Sequence, residues 1–172
     1  DINQRLRGVS RMASLDIVLE KADREYSESE KQALAERKNN YYRELITRLT
    51  PGDILPGVTE KLKMLKEHGI KIAIGSSSKN TPVILKQIGL DNFFDTVSDG
   101  NNITHSKPDP EVFLKAAEML GTAPERCMIV EDADAGIEAG RRAGMKTLSL
   151  QGAKGADFES KNLACCDLLS LI

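Results

Sequence analysis

No run of apolar residues in this 172-residue chain approaches the roughly 18 needed to cross a bilayer, and no charged start with an apolar centre marks an export leader. A soluble cytoplasmic protein is therefore the expectation. Charge of one sign is lacking too: 24 basic residues face 26 acidic ones, a formal net charge of -2, which gives no electrostatic ground for a nucleic-acid or anionic-membrane partner. A small molecule is the expected partner and a monomer the expected state. Histidine and cysteine are scarce. His68 and His105 are the only histidines, and no residues have zinc-ligand spacing. Cys127 lies in an apolar strand-like run, and the adjacent Cys165 and Cys166 are poorly placed to bridge each other, so all three are read as reduced.

Hydrophobic residues make up 40% of the chain, which suits one domain or a compact domain with a smaller appendage. From Ser14 to about Leu49 only helical periodicity is visible. Ser27-Glu28-Ser29-Glu30 has the form of a capping box and predicts a long helix through Leu34, Tyr41, Tyr42, Leu45 and Leu49, ended by Thr50-Pro51-Gly52. Beyond Pro51 helix and strand alternate, the signature of parallel strands with crossover helices. Expected strands are Ile70–Gly75, Phe94–Val97, Cys127–Val130 and Thr147–Leu150. Helices are expected over Val58 to Leu65, from Thr81 to about Ile88, from an Asp109 N-cap to Leu120, and over Asp134–Ala143.

In such a sheet ligands bind beyond the carboxyl ends of the strands, and polar clusters follow three of them. Glu131 and Asp132 are adjacent carboxylates, which repel by roughly 1 kcal/mol at 4 Å in water and more in a dry cleft. A divalent cation with oxygen preference, Mg²⁺, would remove that penalty, although a helix cap by Asp132 or Asp134 is an equally simple use. Ser76-Ser77-Ser78-Lys79-Asn80 offers hydroxyls, a cation and backbone N–H groups to an anion; a plain polar loop is the bland reading. Lys107, held extended by Pro108, can reach across the crevice or stay solvated. Lys38 interrupts the stripe of Leu34, Tyr41 and Leu45, and Arg11 follows a glycine-containing turn; each is a phosphate-binding candidate or an ordinary surface charge. Taken together the clusters point to Mg²⁺-assisted phosphoryl chemistry.

The segments Gly75–Asn80, Ser106-Lys107-Pro108-Asp109-Pro110 and Val130–Ile137 resemble, in order and spacing, the second, third and fourth motifs of the haloacid-dehalogenase-like superfamily. That resemblance implies an α/β fold with a Rossmannoid parallel sheet in a core domain (residues 52–172) and a small helical cap domain (residues 1–51). Arg7-Gly8-Val9-Ser10-Arg11 and Glu36-Arg37-Lys38-Asn39 are similar to cap segments that close over substrate in the superfamily's sugar-phosphate mutase branch. It further implies that Ser76 and Lys107 stabilise the transferring phosphoryl group and that Glu131 and Asp132 hold Mg²⁺. Gly8, Val9, Arg11, Lys38, Ser78, Lys79 and Asn80 would contact the sugar phosphate. The implied reaction interconverts β-glucose 1-phosphate and glucose 6-phosphate through an aspartyl phosphate and a bisphosphate. A sugar-phosphate phosphatase and a non-catalytic, receiver-like phospho-switch are the rivals. One departure stands out: the superfamily's first motif, Asp-x-Asp at the end of a central strand, does not occur before Arg7. The first core strand and part of the cap are therefore expected to be absent from this chain, and the segment after Leu168 is expected to stop short of a final helix.

Overall fold

A computed structural model describes residues 2–172. Three helices come first: α1 (Ile2–Leu6), α2 (Arg11–Leu19) and α3 (Glu28–Ile46). The capping box forms as expected, with Ser27 Oγ accepting from Glu30 N and Ser27 N donating 2.9 Å to Glu30 Oε2. Two details differ from the sequence expectation: α3 stops at Ile46, and the stripe of Tyr41, Tyr42 and Leu45 is exposed. The inward face of α3 is instead marked by Ala35 and Ile46, both 4% exposed, three helical turns apart. The expected stripe followed the largest side chains, whereas close packing of α3 selects the small Ala35.

After a turn at Pro51–Asp53 come α4 (Val58–Glu67), β1 (Ala73–Gly75), α5 (Thr81–Gln87), β2 (Thr96–Ser98) and α6 (Glu111–Leu120). They are followed by β3 (Met128–Glu131), α7 (Asp134–Arg142), β4 (Lys146–Leu150) and the unanticipated β5 (Phe158–Ser160). The β1-β2 and β3-β4 pairs are parallel, as the helix–strand alternation required, and β5 also pairs parallel to β4 with no helix between them. They form two separate sheets, β1-β2 and β3-β4-β5. Among the described residues β1 is bonded only to β2 and β3 only to β4, so one edge of each is unpaired. The first of these strands is shorter than Ile70–Gly75, because Ile72 N is taken by the Asp95 carboxylate at 2.7 Å. Asp109 is not the N-cap of α6: Pro110 holds that position, and Asp109 Oδ1 accepts from Glu111 N at 2.9 Å.

The two faces of β3 and β4 bury different clusters, as side-chain alternation dictates. On one face Ile129 joins Val112, Phe113, Ala117, Ala139, Ala143 and Met145 from α6, α7 and the turn before β4. On the other, Met128 and Leu148 meet Cys166 and Leu168. Gly140 permits close packing of α7, since a Cβ there would lie 2.8 Å from Thr147 Cγ2 and 3.0 Å from Ile129 Cγ1. All three cysteines are free. No helix among the described residues is long and apolar enough to cross a membrane.

Candidate active site

Lys107 is the centre of the site. Its side chain is only 5% exposed, and its Nζ donates 3.1 Å to Gly75 O at the tip of β1 while pairing with Glu131 Oε1 at the tip of β3. The two sheets are thus bridged at their carboxyl ends by one ammonium. The Phe113 ring centroid lies 4.6 Å from Nζ, close enough for cation–π attraction. Gly75 is needed beneath it, because a Cβ would come within 2.7 Å of that ring. Burying an ammonium is tolerable only with such partners.

The fourth segment is built around the Glu131 carboxylate. A Cβ on Gly136 would lie 2.5 and 2.6 Å from its two oxygens, so α7 opens a cradle for the carboxylate by carrying glycine at that turn. Glu131 Oε2 accepts from Asp132 N at 3.2 Å. Asp132 is half exposed, 3.7 Å from Arg7 Nη1. Neither Asp132 nor Asp134 caps α7: the N-cap is Ala133, and Asp134 Oδ1 instead accepts from Lys154 N at 2.9 Å. Glu131 and Asp132 together offer two hard carboxylates, a donor set that with the Gly136 cradle fits Mg²⁺.

In the loop after β1, Ser76 N donates to Ser98 O at 2.9 Å. Ser76 Oγ accepts from Thr81 Oγ1 at 2.9 Å and from Ser78 N at 3.2 Å. Ser78 Oγ accepts from Asn80 N at 3.1 Å. These bonds fold the chain into a tight polar turn ahead of α5. Gly100 lets the neighbouring loop approach it, since a Cβ would sit 2.7 Å from Ser77 O.

Residues 7–11 lie over this floor. Gly8, at φ +75°, accommodates the turn, and a Cβ there would be 3.4 Å from Ala133 Cβ and 3.8 Å from Lys107 Cδ. Ser77 Oγ donates 2.9 Å to Gly8 O. Val9 is half-buried beside it, and Ser10 caps α2 through a 3.2 Å bond from Ala13 N. From α3, Asn39 Oδ1 accepts from Asn80 Nδ2 at 3.0 Å. The structure therefore brings together Gly8, Lys107, Glu131 and the Ser76–Asn80 loop. It does not bring in Lys38, which is exposed one position away from the inward-facing Asn39; the stripe used to place it was the outer one. Arg11 and Lys79 are also exposed. Sequence reasoning placed Ser77, Asn39 and Arg7 inside the matching segments but singled out none of them, although they join the helical part to the floor. The spacing of Ala35, Asn39 and Ile46 would have found Asn39, had the buried face been set by small residues.

The family profile of haloacid dehalogenase-like hydrolases matches residues 3–144. The chain is 43% identical over 163 residues to the Bacillus subtilis β-phosphoglucomutase, covering 92% of this chain and 72% of that protein. It is 30% identical over 151 residues to a phosphorylated carbohydrates phosphatase of Thermotoga maritima, covering 86% and 67%. Its fold superposes on a β-phosphoglucomutase from Clostridium difficile with a TM-score of 0.88 at 39% identity, covering 95% of this chain and 75% of that one. The chain belongs to the haloacid dehalogenase-like hydrolase family.

Proposed function

We propose that the chain acts as a β-phosphoglucomutase, interconverting β-D-glucose 1-phosphate and glucose 6-phosphate in the cytoplasm as a monomer. Residues 1–51 form its cap and residues 52–172 its core. The observation that carries this reading is the buried Lys107 ammonium, held between Gly75 O and Glu131 with the Gly8 turn seated above it. A cation in so dry a place is worth far more to a developing phosphoryl charge than one in water. The 43% identity to the Bacillus subtilis mutase favours sugar isomerisation over simple hydrolysis.

On this reading Ser76 and Lys107 hold the transferring phosphoryl group, and Lys107 shares its protons between Glu131 and a phosphoryl oxygen. Ser78, Lys79 and Asn80 hold the sugar phosphate from the floor, and Gly8, Val9, Arg11 and Lys38 from the lid. Arg11 and Lys38 reach it only with closure beyond that described, since both point to solvent. Glu131 and Asp132 hold Mg²⁺, which supplies charge neutralisation at the phosphoryl oxygens. The nucleophile is an aspartate on an additional parallel strand bonded to the unpaired edges of β1 and β3, whose tips Lys107 already links. The phosphorylated aspartate passes its phosphoryl group to O6 of β-glucose 1-phosphate, whose hydroxyl proton goes to a second carboxylate. The acyl–phosphate bond breaks as the new P–O bond forms. The bisphosphate then presents its C1 phosphate, the aspartate takes that group back, and the proton returns to O1 as glucose 6-phosphate leaves. Cap closure keeps water from the acyl phosphate.

The deciding measurement is a coupled assay with β-glucose 1-phosphate, Mg²⁺ and a priming bisphosphate, alongside a panel of other sugar phosphates. Glucose 6-phosphate formation well ahead of phosphate release is expected. Phosphate release across the panel without isomerisation would overturn the mutase in favour of a phosphatase. Equal turnover with and without an added strand-bearing segment would remove the placement of the nucleophile.

A further inference from the structure

Two buried hydroxyls lie on the same face of β4, and only one is satisfied. Thr147 Oγ1 donates to Asp157 Oδ2 at 3.0 Å and accepts from Asp157 N at 3.1 Å. Ser149, two residues on, is fully buried, and among the described residues its Oγ has no hydrogen-bond partner. Such an atom calls for an explanation, because a buried hydroxyl loses its water without replacement.

The register supplies one. Ile129 pairs with Thr147 across β3 and β4, and both side chains reach the same α7 glycine, Gly140. Glu131 and Ser149 are the next pair on that face, on strands about 4.8 Å apart. The Glu131 carboxylate correspondingly lies against Gly136, one helical turn earlier on α7. Ser149 therefore stands directly across from the carboxylate at the centre of the site, on its dry side.

We propose that Ser149 is a positioning residue for Glu131. Its hydroxyl donates to the carboxylate when Glu131 turns from Lys107 towards a divalent cation, fixing which oxygen faces the ion. In the described arrangement Lys107 does that orienting; when the ammonium is drawn to a phosphoryl oxygen, a neutral donor behind the carboxylate must take over. The proposal rests on the reading of Glu131 as a cation ligand.

Direct titration of the purified protein with MgCl₂, and with MnCl₂ followed by electron paramagnetic resonance, tests it alongside thermal unfolding without metal. Loss of a group that orients a metal ligand weakens binding on the order of 10–100-fold, so Ser149→Ala is expected to lose at least tenfold in cation affinity. Its unfolding temperature without metal is expected to stay unchanged or rise, because a buried unpaired hydroxyl is gone. Ser149→Cys, of similar size with a weaker donor, is expected to bind between the two. Wild-type affinity in Ser149→Ala, or a loss of stability with affinity intact, overturns the proposal. Glu131→Gln is the control: if it also binds as wild type, the reading of Glu131 itself fails, whereas weak binding in Glu131→Gln with normal binding in Ser149→Ala removes only the role of Ser149.

Discussion

The helical part and the α/β part of the chain use charge in opposite ways. In residues 2–49 the helices are tied by exposed pairs: Arg5 to Glu20 at 2.5 and 2.7 Å, Lys31 to Asp16 at 2.9 Å, Arg24 to Glu30 at 2.8 Å. The buried apolar residues there are Ala35 and Ile46 alone among those described. Beyond residue 52 the apolar clusters carry the fold, and Lys107 and Glu131 form a pair at 5% and 12% exposure. Exposed pairs are screened by salt and tolerate rearrangement, whereas a buried pair punishes the removal of either partner. On the proposed function, the contrast suits a lid that moves over a fixed, charged floor.

The strongest test of that contrast is Lys107→Met. Turnover is expected to fall on the order of 10²–10³-fold, and stability by roughly 3–5 kcal/mol, because the largely buried Glu131 carboxylate loses its cation. Steady-state assays and urea unfolding measure the two. Lys107→Met with Glu131→Gln should regain much of the stability and none of the activity. If the single change costs no more than Arg5→Met in the helical part, the buried pair is not what distinguishes the floor.

That difference between the parts also governs what was legible in the sequence. Two of the strand-tip clusters were readable because the polar run directly follows an apolar one, at Ile74-Gly75-Ser76 and Ile129-Val130-Glu131, whereas Ser106-Lys107-Pro108 lies a loop away from the end of β2 at Ser98. Parallel strands then send their tips to one side. In α3 the same logic failed: Tyr41, Tyr42 and Leu45 are large and apolar yet exposed, because so thin a layer has no second face to bury them. With the face misassigned, Lys38 was placed inward and Asn39 overlooked. The separation of the strands into two sheets was not read from the sequence, and neither was β5, since Asp157-Phe158-Glu159-Ser160 is short and polar.

Asn39→Ala sharpens the comparison at its seam. The Asn39–Asn80 hydrogen bond is part-buried and joins α3 to the Ser76–Asn80 loop. Losing one such bond costs about 1 kcal/mol, roughly fivefold in the closure equilibrium. KM for β-glucose 1-phosphate is expected to rise several-fold with kcat less affected, and Lys38→Ala, at the exposed neighbour, to change less. A larger effect of Lys38→Ala would mean that the lid closes further than this structure describes and that the outward cation meets substrate.

The smallest effect is expected at the start of α3. Glu30 is held down to about 2, from an ordinary 4.5, chiefly by the Arg24 guanidinium and then by the Ser27 backbone and hydroxyl. Its folded-state value lies below its unfolded one, so the carboxylate's contribution is fully present above about pH 4.5 and disappears as pH falls towards 2. Asp157, just before β5, is also held below its usual range, first by the Thr147 N–H and then by the Thr147 hydroxyl. Acid therefore loosens both parts, and single variants separate them. Hydrogen exchange at the first α3 amides is expected to quicken as pH falls through that window, after correction for intrinsic rates, and Glu30→Gln to flatten the change. Asp157→Asn should flatten the corresponding change around β4 and leave α3 as it was. Added salt should shrink the α3 response more than the β4 response, because the Arg24–Glu30 pair is solvent-exposed while the Thr147–Asp157 bonds are part-buried. Equal salt sensitivity at both sites would show that the two parts are not held by different forces after all.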